Sequence, residues 1–91
     1  MNKKQRKKLG VEKARLETAH DIIESVRENI EEMYGEEYDK YENLPESLQD
    51  SDFGATLQEI ADALEDMAND LDDVSSQLSD ISDRIDEVIN M

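Results

Sequence analysis

The sequence predicts an all-α fold: a two-helix antiparallel hairpin of the coiled-coil kind, assembling into a homo-oligomeric bundle. Three observations predict it. An unbroken heptad repeat runs through the second half, a weaker copy occupies the first half, and a short proline-bearing segment separates them. One domain spans residues 1–91, with a basic segment at 1–15, a first helix to about residue 42, a linker at 43–51 and a heptad helix at 52–90.

The heptad helix carries the clearest signal. Phe53, Leu57, Ile60, Leu64, Met67, Leu71, Val74, Leu78, Ile81, Ile85 and Val88 are spaced alternately by four and three residues. This is an a/d repeat, with Leu57, Leu64, Leu71, Leu78 and Ile85 at a, and it predicts a coiled-coil helix. The e positions Ala61, Ala68, Ser75 and Ser82 are all small. Small residues let a neighbouring backbone approach and widen the interface beyond a two-stranded seam. Ser51 or Asp50 suits the N-cap, with Thr56 and Glu59 forming a second candidate capping box.

The first helix repeats the pattern less regularly. Leu9, Leu16, Ile23 and Ile30 fall seven apart, and Ala19, Val26 and Met33 supply three d positions, but Glu12 occupies another. The expected helix begins near residue 3 or 11 and reaches Tyr34, with a break or kink around Gly35. Glu36–Glu42 adds one or two turns. In the linker, Pro45 suits a first helical position, and Glu46–Gln49 a single turn. Leu64, Met67, Leu71 and Val74 are expected to be buried with Ile23, Val26 and Ile30.

The 91 residues are 36% apolar and 38% charged. So short and polar a chain closes a core with difficulty, and self-association is the expected remedy. Without cysteine there is no disulfide or thiolate site. The basic start is not followed by an apolar stretch, so neither a signal peptide nor a membrane span is expected, and the reading is cytoplasmic. The net charge of −15 is unevenly placed: residues 1–15 hold seven Lys/Arg against Glu12 alone. Residues 3–15 are expected to neutralise the acidic end of the long helix or of another copy. They are also the only segment suited to nucleic acid or anionic lipid.

No catalytic pattern emerges. His20 stands in Glu17-Thr-Ala-His20, the spacing of di-iron bundles, but Glu17 falls at b, and the long helix offers no carboxylate at a or d. Asp50-Ser-Asp-Phe-Gly54 fails as a calcium loop because Ala61 stands where a bidentate Glu is needed. Phosphate loops, zinc motifs and serine–histidine pairs are absent. No enzyme activity, metal or cofactor is expected.

The charge pattern carries the site expectation. Glu59, Asp66, Asp73, Asp80 and Glu87 fill the c positions, with Asp62, Glu65, Asp72, Asp83 and Asp86 beside them at b and f. Ordinary coiled coils mix Lys with Glu on this face, whereas Arg84 is the only base from residue 51 onward. One-signed charge costs stability through self-repulsion. The candidate partner-binding residues are Glu59, Asp62, Asp66, Asp73, Asp80 and Glu87, presented to a basic protein surface.

Glu42-Asn-Leu-Pro-Glu-Ser-Leu-Gln-Asp-Ser51, followed by the acidic heptad helix, resembles small acidic coiled-coil proteins of phages and prophages of Gram-positive bacteria. The resemblance covers roughly residues 38–90; those proteins typically carry Gly where Ser47 stands here. It implies a phage origin and, with the acidity, an inhibitor of a host defence protein of the anti-CRISPR or anti-restriction type, including by DNA mimicry. It brings no functional residues with it. The alternative expectation is a structural oligomerisation module; a third is a small regulator using its basic N-terminal segment on DNA.

Overall fold

The computed structural model describes all 91 residues. It is all-α, with α1 at Lys3–Glu42, a single turn α2 at Glu46–Gln49 and α3 at Asp52–Ile89. α1 and α3 pack antiparallel. Contacts divide the chain into two compact units: Met1–Ser25 with Leu71–Met91, and Val26–Asp70. Each unit pairs a stretch of α1 with one of α3, and the second also holds α2.

The helix ends follow local chemistry. The Asn2 side chain accepts from the Gln5 N–H at 2.8 Å, while Gln5 Oε1 accepts from the Asn2 N–H at 3.4 Å. This reciprocal cap starts α1 at residue 3. The break expected at Gly35 does not occur; α1 is continuous to Glu42. One glycine costs a helix only about 1 kcal/mol, which the packed turns on either side of it outweigh.

Pro45 lies just outside α2 as its N-cap, with φ −54° and ψ 144°, rather than as a first helical residue. Ser51 caps α3, its hydroxyl accepting from the Gly54 N–H at 3.2 Å. The Thr56 hydroxyl instead donates to the Asp52 carbonyl inside α3, so it caps nothing. Gly54 is required where it stands: a Cβ there would press into the carbonyl oxygens of Leu48 and Gln49.

The seam departs from the expected a/d arrangement. The buried residues of α3 are Leu57 at a and the lane Gly54, Ala61, Ala68, Ser75 and Ser82 at e. The other a residues, Leu64, Leu71, Leu78 and Ile85, are half-buried. The d positions Phe53, Ile60, Met67, Val74, Ile81 and Val88 are instead 36–62% exposed. Helical geometry puts the centre of an a/e contact about 50° from that of an a/d contact.

On α1 the same shift holds. Leu9, Leu16, Ile23 and Ile30 at a are half-buried, together with Arg6, Lys13, His20, Arg27, Tyr34 and Tyr41 at e. Val26 and Met33 at d are exposed, and Ala19 is the d residue that stays half-buried. Of the expected core, therefore, Ile23, Ile30, Leu64 and Leu71 lie in the seam, while Val26, Met67 and Val74 do not. The reason is complementary size. The small e lane of α3 lets α1 approach there, and the long e side chains of α1 lay their stems along it while their polar heads reach solvent.

Candidate functional site: the acidic lanes of α3

The shift of the seam determines which carboxylates find a partner. Polar heads in the α1 e lane reach across to the b lane of α3. In the first unit Lys13 Nζ lies 3.2 Å from Asp86 and 3.3 Å from Glu17. Hydrogen bonds to Asp86 and then Glu17 hold this ammonium above its ordinary pKa. In the second unit the Tyr34 hydroxyl donates to Glu65, which raises the phenol's pKa above its usual value. Both pairs join an e position of α1 to a b position of α3.

The candidate residues lie beyond that reach. Glu59, Asp62 and Asp66 in the second unit, and Asp73, Asp80 and Glu87 in the first, are all exposed. No cation pairs with any of them. Asp52, also exposed, opens the c lane one heptad earlier than the sequence reading placed it. Successive c carboxylates stand about 10.5 Å apart along the helix axis. Only Asp70 among the acids of α3 lies outside the b, c and f lanes.

The basic segment is divided in use. Lys13 reaches Asp86, Arg6 donates to the Met91 carbonyl at 3.0 Å, and Arg15 pairs with Glu12 at 3.1 Å. Those first two contacts place positive charge at the negative end of α3. Lys3, Lys4, Lys7 and Lys8 remain exposed without ion pairs.

His20 lines an open depression with Glu17, Asp21, Ser79, Ser82 and Asp83, its Nδ1 3.6 Å from Asp21. No group of three His, Asp or Glu side chains has metal-holding geometry. No helix is long and apolar enough to cross a membrane.

Sequence reasoning missed the e lane of α1 and the exposure of the d lane of α3. The first had a readable signal: Arg6, Lys13, His20, Arg27, Tyr34 and Tyr41 recur every seven residues. Comparison of the chain with protein-family models, curated proteins and solved structures gives no match.

Proposed function

We propose that this chain is a non-enzymatic acidic binding protein whose c and f lanes on α3 dock on the basic surface of a partner protein. The observation that carries the reading is the set of six exposed carboxylates, Glu59, Asp62, Asp66, Asp73, Asp80 and Glu87, none of them neutralised by its own fold. A carboxylate row that exists only to solvate a helix gains from interspersed lysines, and this one has none. The resemblance of the linker and heptad helix to phage proteins implies, as the partner in this reading, a bacterial defence protein of the class that handles nucleic acid.

Charge density bears on the mode of binding. The eleven acids of the b, c and f lanes are spread from Asp52 to Glu87. That is about one per 5 Å of helix, against one per ~1.7 Å for duplex DNA. The match is to spaced cations on a protein surface rather than to a continuous phosphate groove. DNA mimicry in this reading copies the position of selected phosphates, not their full density.

The test is protection of a sensitive phage in a host carrying a restriction or CRISPR system. The chain is expected to raise plating efficiency, and Asp66→Asn/Asp73→Asn/Asp80→Asn together to abolish the gain without loss of helicity. Full protection by the triple variant would reduce the lanes to a solvated face. A second reading, a structural oligomerisation module, is favoured by the exposed d lane, and it expects no protection from either form.

A further inference from the structure

Both units leave apolar surface uncovered. In the second unit Met33, Phe53 and Met67 are 50% exposed or more, and Ile60 and Val26 are exposed as well. In the first, Ile22, Val74 and Ile81 are open. In an antiparallel pair with an a/e seam, the d flanks of both helices fall on one side and the b flanks on the other. On that side each unit presents the apolar d lane of α3, joined by Val26 and Met33 of α1 in the second unit and by Gln5, Glu12 and Ala19 in the first, and the acidic b and f lanes of α3 face away from it.

The surface area leaves room for an interface of that kind. A compact monomer of this mass exposes about 5,400 Å². This chain exposes 6705 Å². The difference of about 1,300 Å² per chain matches what each partner contributes to an obligate homodimer, above the ~800 Å² of a standard interface.

The edge of that side is compatible with a like copy. The g lane of α3 bordering it, Thr56, Ala63, Asp70, Gln77 and Arg84, carries one acid and one base. The carboxylates of the b, c and f lanes of α3 are thus kept off it. A foreign basic partner would find little to pair with there, whereas another apolar face would find its match.

We infer that the apolar side of each unit docks a second copy of the chain, the unit of residues 26–70 lying against the partner's other unit so that the two α2 turns are opposed. The orientation follows from charge. The unit of residues 26–70 holds two Lys/Arg against fifteen Asp/Glu, and the other holds eight against ten. With the turns together, the two acidic units would lie against each other. With the turns opposed, each acidic unit lies against its partner's nearly balanced one, and Lys8 and Arg15 border the partner subunit's Glu36. The inference rests on the apolar d lane of α3, with Val26 and Met33 of α1, and is independent of what the acidic lanes bind.

Light scattering at micromolar concentration is expected to give twice the 10.5 kDa chain mass. The melting temperature is expected to rise with protein concentration, as linkage to association requires. Ile60→Lys adds a base to the more acidic unit, so electrostatics alone would favour it; it is expected to weaken the dimer at least a hundredfold. To fix orientation, Phe53→Cys and Val88→Cys chains are mixed and treated with a short bismaleimide. A 53–88 cross-link between chains supports opposed turns, and 53–53 cross-linking overturns them. A concentration-independent melt at 10.5 kDa, or a particle larger than a dimer, overturns the proposal.

Discussion

Lys13 Nζ lies 3.2 Å from Asp86 Oδ1 across the helix pair, an e position of α1 meeting a b position of α3. Tyr34 and Glu65 repeat that relation in the other unit. These contacts tie the basic and phenolic lane of α1 to one edge of an acidic helix, leaving its remaining acidic lanes free.

A pH dependence follows from the two raised pKa values. Both groups hold their contacts while protonated. Their contribution is therefore fully present below the ordinary values of 10.0 for Tyr34 and 10.5 for Lys13, and is lost as pH rises through the higher folded-state values. The urea midpoint is expected to fall from about pH 10 upward. Tyr34→Phe is expected to be less stable than the parent at pH 8 and to converge with it at strongly alkaline pH. A constant gap at both pH values would mean that the hydroxyl contact contributes nothing titratable.

The e lane of α3 sets how closely the helices approach. Ala61 is 1% exposed, so a larger side chain there has no space. Ala61→Leu is expected to cost about 1–3 kcal/mol through overpacking, although leucine is a good helix former. Ala55→Leu, on an exposed turn of the same helix, is expected to stay within ~0.5 kcal/mol. Urea melts of the two variants distinguish an a/e seam from an a/d seam, in which Ala61→Leu would be the milder change.

Ser75 occupies the same lane with a buried hydroxyl that has no hydrogen-bond partner. Burying such a group costs about 1–3 kcal/mol, and alanine is the better helix former by about 0.5 kcal/mol. Ser75→Ala is therefore expected to stabilise the protein by about 1–2 kcal/mol, read from the shift of the denaturation midpoint. A loss of stability would show that the hydroxyl is satisfied in solution.

The glycines of α1 and α3 are expected to respond oppositely to alanine. Nothing lies within 4 Å of a Cβ built at Gly35, so Gly35→Ala is expected to gain about 1 kcal/mol of helix stability. At Gly54 the Cβ meets the backbone at the end of α2, and the junction must shift to admit it. Gly54→Ala is expected to lose about 1–3 kcal/mol despite its propensity gain. Thermal melts of both variants at one protein concentration provide the comparison.

The sequence by itself determined the two long helices, the turn at Glu46–Gln49, the antiparallel pairing and the separation of acidic from apolar lanes on α3. Those features follow from local rules: spacing sets the helical faces, Pro45 and Ser51 punctuate the chain, and a short connection turns it back. The extent of α1 through Gly35 needed the packed neighbours that outweigh one unfavourable residue. Only the tertiary structure decided which apolar lane meets the other helix. Both a/d and a/e seams satisfy the same repeat, and the choice depends on how closely two surfaces approach. The small lane of Gly54, Ala61, Ala68, Ser75 and Ser82 admits the long e side chains of α1 and draws the contact toward itself. That rotation leaves Ile60, Met67 and Ile81 in the open, and it sets which carboxylates Lys13 and Tyr34 can reach, because a side chain reaches across the seam only from the edge that the packing brings to it.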